Sequence, residues 1–331
     1  MSQIIDTLII SGGGSKALSA IGTLNHLEKN LRGFNKNIKK YAGSSMGSIL
    51  IFLLSINYTP DEIYDTFFAQ NRNTLLSSSG YFNIPYNLIY NYGMFSTDKI
   101  MNYISTLAEK KGIDKNITFK ELYLKTNKVI VITGTSLNTR NTYYFNYDTT
   151  PDIKVIDAIR ISISIPFYFT SVDLNIIENG ELKNHRWVDG GLLSNFPLYY
   201  FDICEETGRY IMSYDELSKN IKTFGISSTS YYSNVIGIMF LNDSFQRDIY
   251  DYYDGNDAVK SLKDFVISFM ETILTKIEEA NFFNPLTGTE NFFTRTITVK
   301  IPKHISSIDF NMTINKGWRR WSYRILYLKL S

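Results

Sequence analysis

The sequence predicts an α/β protein in which a sharp strand-to-helix turn carries a serine. Three observations lead there. Residues 4–10 form a short apolar strand (Ile4, Ile5, Leu8, Ile9 and Ile10, interrupted by Asp6 and Thr7). It runs into Ser11-Gly12-Gly13-Gly14-Ser15-Lys16 and then into a helical pattern of Leu18, Ile21, Leu24 and Leu27. Tyr41 and Ala42 run into Gly43-Ser44-Ser45-Met46-Gly47, which opens onto Ile49, Leu50, Ile51, Phe52, Leu53 and Leu54. That is strand, sharp turn and buried helix, the setting of a nucleophile elbow. Finally, 331 residues with 44% hydrophobic and 20% charged side chains suffice for a full core, in one large α/β domain or two smaller ones.

The remaining elements follow in order. Thr59-Pro60-Asp61-Glu62 is a helix start, with a capping Thr and Pro at the first helical position. Residues 71–96, rich in Ser, Asn, Tyr and Gly, read as a loop. Thr97-Asp98 caps a helix carrying Ile100, Tyr103, Ile104 and Leu107. Residues 128–133 are a buried-type strand, 142–145 its partner, and 153–163 an amphipathic helix. Residues 174–188, with Asn179-Gly180 near the centre, read as a β-hairpin that delivers Asp189. Residues 205–234 are polar and irregular, and 235–241 are an apolar strand. Leu262, Phe265, Val266, Phe269, Met270, Ile273, Leu274 and Ile277 make a helical stripe expected in the core rather than in a lid. Residues 296–301 are a late strand. In 318–330, Trp318, Trp321, Ile325 and Leu328 share one helical side and Arg319, Arg320 and Arg324 fall largely off it. Such a helix either lies in a membrane interface or, the preferred reading, packs on the core.

Three motifs bear on chemistry. The turn around Ser45 is strained, so its flanks must be small, and Gly43 and Gly47 meet that need. The following helix N-terminus favours negative charge beside the serine oxygen. Alone, the pentapeptide also fits a plain glycine-serine turn. Gly12, Gly13 and Gly14, between strand and helix, leave backbone N–H groups open to bind phosphate or stabilise an oxyanion. Asp189-Gly190-Gly191 presents a carboxylate on a tight turn, which in isolation reads as an ordinary Asp-Gly hairpin turn. Gly12, Gly14 and Ala17 also fit a dinucleotide fingerprint, but that needs an acidic residue about 20 positions on, and 33–40 offer only Asn and Lys as polar side chains. A phosphate loop ending in Gly-Lys-Ser/Thr is missing.

In this order the three motifs resemble the patatin-like phospholipases: a glycine-rich oxyanion loop with a following Lys or Arg (here Lys16), then G-x-S-x-G, then D-G-G or D-G-A. Weaker echoes are Thr118-Phe119-Lys120-Glu121-Leu122, the 158–166 segment ending in Ser164-Ile165-Pro166, and Asn195-Phe196-Pro197. Ala17 stands where many members carry glycine. The resemblance covers residues 4–200 well; 201–331 read as a C-terminal extension, so that 1–331 is expected to be a single acyl-hydrolase domain. It implies a three-layer fold with a mainly parallel central sheet flanked by helices. It also implies a lipid acyl hydrolase, of phospholipase A or lysophospholipase type, that works through a Ser-Asp dyad. Ser45 is then the nucleophile and Asp189 the base, Gly12, Gly13 and Gly14 form the oxyanion hole, and Lys16, Gly43, Gly47, Gly190 and Gly191 support them. Within the hole, Gly13 and Gly14 supply the N–H groups and Gly12 shapes the turn. Lys16 holds the loop, adds positive field, or is a solvated helix residue. The implied partner is a phospholipid or other lipid ester, with no metal or organic cofactor. The competing reading is a catalytically silent lipid- or protein-binding member, against which the intact Ser45 and Asp189 argue.

A conventional triad would need a histidine. The chain has His26, His185 and His304, none placed after an acid in a fitting loop, so surface or structural roles are expected for them. The net charge of +2 gives no argument for nucleic acid. The single cysteine, Cys204, excludes an intramolecular disulfide and fits a reducing compartment. Met1 to Asp6 lack a basic signal-peptide start, and no window has the apolar length of a membrane span. The expected location is intracellular and cytoplasmic, with transient contact at a membrane surface.

Overall fold

The first strand, β1 (Thr7–Ile10), is buried along its whole length and has a parallel neighbour on each side. A computed structural model describes residues 4–31, 33–68, 84–178, 180–204, 209–210, 229–230, 234–242, 259, 261, 264–266, 268–269, 272–273 and 295–301. The strands that follow are β2 (Lys40–Gly43), β3 (Gly93–Phe95), β4 (Val129–Ser136), β5 (Asn141–Phe145), β6 (Phe167–Phe169), β7 (Val172–Glu178) and β8 (Glu181–Asp189). Beyond them come β9 (Ile203–Cys204), β10 (Arg209–Tyr210), β11 (Thr229–Ser230), β12 (Val235–Asn242) and β13 (Thr296–Ile301). Among the described residues the main sheet has eight strands in the order β13-β12-β1-β2-β4-β8-β7, with β5 paired to β4. The run from β13 to β4 is parallel, whereas β5, β8 and β7 join antiparallel. β3 and β6 form a parallel pair, and β9 to β11 a small separate sheet.

Register brings three distant stretches to one end of the sheet. Ile10 lies opposite Gly43, Gly43 opposite Ile132, and Gly134 opposite Asp189. The glycine loop, the elbow and the Asp189 turn therefore leave the sheet side by side at the carboxyl ends of the parallel strands, where open α/β sheets place their sites.

Alternation along the strands divides the core. Leu8, Ile10, Tyr41, Ile130 and Ile132 pack into the larger cluster; Ile9, Ala42 and Val131 face a smaller one with Leu198, Tyr199, Tyr200 and Phe201. The larger face carries α1 (Leu18–Asn30), α2 (Phe34–Asn37) and α3 (Met46–Ser55). Every residue of α3 is buried, as suits a helix apolar all round. Next are α4 (Pro60–Ile63), continued by a π-helical turn at Tyr64–Phe68, then α5 (Ile84–Tyr90), α6 (Asp98–Lys110), α7 (Phe119–Thr126) and α8 (Val155–Ser162). α4 and α7 begin in reciprocal capping boxes, Thr59 with Glu62 and Thr118 with Glu121. In α6, Ile100, Ile104 and Leu107 are buried as their spacing predicts.

Several expectations change. The first strand starts at Thr7, and Ile4 is exposed; Asp6 before it accepts the amides of Lys39 and Lys40 on its carbonyl. The expected loop 71–96 contains α5 and β3; Ile84 and Leu88 pack against the main core, and a contact made by folding is not written in local composition. The side chain of Thr97 makes no cap; Ser96 accepts the Asp98 N–H at 3.1 Å instead. The hairpin is β7 with β8, as expected, and Gly180 has φ +81. The stripe over 262–277 is described in part: Val266 is buried, but Phe265 and Phe269 are largely exposed and stack on each other, so those two are not core. Residues 318–330 and His304 lie outside the described residues.

Arg295, just before β13, forms a two-pronged ion pair with Asp202 at 2.6 and 3.1 Å, and both side chains are buried. It ties the end of the 196–202 segment to the last strand of the sheet. Removing one partner strands the other charge in the interior, at a cost of about 3–5 kcal/mol, whereas replacing both costs far less. Arg295→Met should therefore lower the denaturation midpoint sharply, and Arg295→Met with Asp202→Leu should recover most of the loss. A single variant as stable as the parent in urea titration would refute this.

Candidate active site

Ser45 sits between β2 and α3 with φ 48 and ψ −128. This backbone is strained for any residue with a Cβ, by roughly 1–3 kcal/mol. Its neighbours hold it there. The Ser45 N–H donates to Ser162 Oγ at 2.9 Å, and its carbonyl accepts from the Ser48 N–H at 2.9 Å and Ser48 Oγ at 2.6 Å. The turn closes by backbone approach. A Cβ on Gly47 would lie 2.4 Å from the Ile10 carbonyl oxygen, and one on Gly43 would lie 2.8 Å from the Gly47 carbonyl. Glycine at both positions is a steric necessity.

Asp189 ends β8, 144 residues away in sequence. Its N–H donates to the Ser164 carbonyl at 2.8 Å and its carbonyl accepts from Thr135 Oγ1 at 3.0 Å. With its backbone fixed, the carboxylate has one partner per oxygen: Ser45 Oγ donates to Oδ2 at 2.8 Å, and the Gly191 N–H donates to Oδ1 at 2.6 Å. Gly190 passes so close to β4 that a Cβ would lie 2.3 Å from the Thr133 carbonyl oxygen. Asp189 is 4% exposed. Burial pushes its carboxyl up to about 7, against the opposing pull of the hydrogen bonds from Ser45 and Gly191.

The glycine loop packs directly on the serine. A Cβ on Gly12 would lie 3.0 Å from the Ser45 Cβ. The Ser11 N–H donates to Ile238 and the Gly12 N–H to the Asn195 carbonyl, both at 3.0 Å. Gly13 lies against the Phe240 ring, and Gly14 takes φ 51 to enter the 3-10 turn Gly14–Ala17 that leads into α1. Among the described residues, the amides of Gly13 and Gly14 donate to no protein acceptor. Lys16 is half-buried on that turn, its N–H donating to the Gly13 carbonyl at 2.9 Å.

Ser45, Asp189 and the three glycines are thus brought together. His26 is exposed on α1. His185 is buried four residues before Asp189, with Nδ1 2.9 Å from Ser136 Oγ, and its ring stacks on Trp187. Three residues that sequence reasoning gave no role, Ser162, Ser164 and Asn195, hold the serine, the Asp189 backbone and the glycine loop. Their only sequence signal is membership of two of the three weaker echoes. Among the described residues no group of three or more His, Cys, Asp or Glu could hold a metal ion, and no helix is long and apolar enough to cross a membrane.

The model of the family described as patatin-like phospholipase matches residues 8–202. The chain is 33% identical over 198 residues to "Probable lipid hydrolase 463L" of Invertebrate iridescent virus 6, covering 58% of this chain and 61% of that protein. It is 29% identical over 312 residues to the uncharacterized protein R571 of Acanthamoeba polyphaga mimivirus, covering 94% and 88% of the two chains. In fold it is similar to VipD from Legionella pneumophila, with a TM-score of 0.50 and 15% identity, over 96% of this chain and 64% of that one. The chain belongs to the patatin-like phospholipase family.

Proposed function

We propose that this protein is a serine-dependent lipid acyl hydrolase, of phospholipase A or lysophospholipase type, acting through a Ser45–Asp189 dyad within one acyl-hydrolase domain. The observation that carries the reading is the buried 2.8 Å hydrogen bond from Ser45 Oγ to Asp189 Oδ2, beside a glycine loop two of whose amides donate to no acceptor among the described residues. Family membership and the name of the iridovirus relative support lipid esters as the substrate class.

The cycle is acyl transfer. Asp189 Oδ2 takes the Ser45 Oγ proton as the oxygen attacks the acyl carbonyl carbon. The carbonyl oxygen becomes an oxyanion held by the Gly13 and Gly14 N–H groups, with Gly12 shaping the loop. The ester C–O bond breaks, and the proton on Asp189 passes to the departing alcohol oxygen. Water then attacks the acyl-enzyme, gives its proton to Asp189, and the collapsing intermediate recovers that proton on Ser45 as the fatty acid leaves. Lys16 supports the loop at the helix start. None of these steps calls on a metal or organic cofactor, and turnover in excess chelator is the expected behaviour.

The burial that raises the Asp189 carboxyl to about 7 has two consequences of opposite sign for activity and stability. The base must be ionised, so activity falls as pH drops below about 7. For stability, a folded-state value above the ordinary 3.8 means that the protonated form is favoured on folding. This contribution is full below 3.8, is lost as pH rises from 3.8 to about 7, and is absent above.

Ser45→Ala should cut hydrolysis of a p-nitrophenyl ester and of phospholipid by about 10³-fold or more and abolish labelling by a fluorophosphonate, with the fold intact. An active, unlabelled Ser45→Ala protein would remove Ser45 from the mechanism. Asp189→Asn should be nearly as inactive, yet melt higher than the parent at pH 8, with the two melting temperatures converging below pH 3.8. Scanning calorimetry that finds the variant less stable at pH 8 would contradict the raised carboxyl.

A further inference from the structure

Asn195 is buried, at 4% exposure, six residues past Asp189, at the point where the chain leaving the catalytic turn returns beneath the glycine loop. Its backbone carbonyl accepts the Gly12 N–H at 3.0 Å, and its Nδ2 reaches the Gly12 carbonyl at 3.5 Å. Its Oδ1 occupies the space that side chains on two other residues would need. A Cβ on Gly12 would lie 2.2 Å from this oxygen, and one on Gly191 would lie 2.7 Å from it. Gly191 is the residue whose N–H holds Asp189 Oδ1, and that carboxylate oxygen would stand 2.9 Å from the same Gly191 Cβ. One amide side chain therefore fills the gap between the glycine loop and the turn that carries the carboxylate.

We propose that Asn195 is a positioning residue that latches the oxyanion loop to the Asp189 turn, so that the loop amides and the carboxylate keep one fixed spacing about Ser45. The proposal rests on the acyl-hydrolase reading above and names the residue that sets the register of its two halves. The physical need is plain. The loop leaves β1 and the carboxylate leaves β8, with β2 and β4 between them in the sheet. Strand pairing alone relays their spacing through three ladders, and any slack in those ladders would appear as misplacement at the serine. A side chain wedged between the two turns removes that slack. Glycine at Gly12 and Gly191 is then required by Asn195, because a methyl group at either would drive the amide out.

The test uses the full-length protein and two variants. In Asn195→Ala the backbone bond to Gly12 survives and the wedge is lost. For a soluble p-nitrophenyl ester we expect kcat to fall by about 10²-fold with little change in KM, the pattern of misaligned groups. Hydrogen exchange should quicken in the 11–17 loop and at 190–192, and stay unchanged in β4 and α3. In Asn195→Asp a second carboxylate stands beside Asp189, and the acid limb of the kcat/KM profile should move up by about one pH unit. A kcat for Asn195→Ala within about twofold of the parent with unchanged loop exchange overturns the latch. So does faster exchange spread evenly over the sheet, since that marks only lost stability. Ser45→Ala hydrolysing like the parent would instead sink the acyl-hydrolase reading, and the exchange pattern would still decide whether Asn195 latches the loop.

Discussion

The structure turns on a carboxylate held out of water. Asp189 has one hydrogen-bond donor for each oxygen and almost no solvent. A charged group in such a place costs free energy unless every lone pair is answered, and with two donors the account is incomplete: the carboxyl rises to about 7. The surrounding fold offsets that cost. β8 is pinned by its ladder to β4, Asp189 is gripped through its own N–H and carbonyl, and Trp187, two residues earlier and fully buried, donates its indole N–H to the Leu174 carbonyl at 3.0 Å. Strain at Ser45 adds to the load, and the wholly buried α3 behind it carries the elbow. Strain and desolvation held in one spot persist only because the packing around them over-determines the geometry.

The second constraint is how closely the backbones approach. The elbow meets the end of β1 at Gly47, the Asp189 turn meets β4 at Gly190, and the glycine loop meets Ser45 at Gly12. At each, a single methyl group would collide with backbone or with a packed side chain. Glycine here is a statement about distance between chains more than about dihedral angles, since Gly47, Gly190 and Gly12 all lack the positive φ that Gly14 takes in the loop. Such closeness costs chain entropy, and it lets the glycine loop pack on Ser45 while Asp189 Oδ2 accepts from its hydroxyl.

That division explains what could be read in advance. That Ser45, Asp189 and the glycine loop meet was legible because each is announced by its own neighbours: small residues about a serine, glycines after an aspartate, three glycines before a helix. Of the parallel strands β4 and β12 were legible as apolar runs, and the β7–β8 hairpin from its Asn-Gly turn. Ser162 and Asn195 were not, because their roles exist only across sequence separations of 117 and 183 residues. A serine inside an amphipathic helix looks like any other until the elbow amide is seen to point at it. The helix inside 71–96 was hidden for a similar reason: Ile84 and Leu88 are too few to make a periodic signal and count only once a core receives them. Phe265 and Phe269 failed in the other direction, a clean apolar spacing that leaves two rings exposed to solvent.

The histidines show why burial of Asp189 matters. His185 is on the same strand as Asp189, but four residues earlier, which along a strand is about 13 Å. Its ring is committed to Ser136 and Trp187, and Glu178 lies 3.6 Å from its Nε2. It cannot reach Ser45 without unpairing β8, and unpairing β8 would withdraw Asp189 as well. His26 is in solvent on α1. Among the described residues neither histidine is placed to act on Ser45; on the proposed reading the Asp189 carboxylate is the base, and at its ordinary 3.8 it would be a poor acceptor for a serine proton. Desolvation supplies the missing basicity and brings the group close to neutral, where imidazole works without assistance. On that same reading one packing arrangement serves both residues: the end of β8 brings Asp189 within hydrogen-bond reach of Ser45 and leaves both side chains buried, with the Asn195 amide filling the gap to the glycine loop.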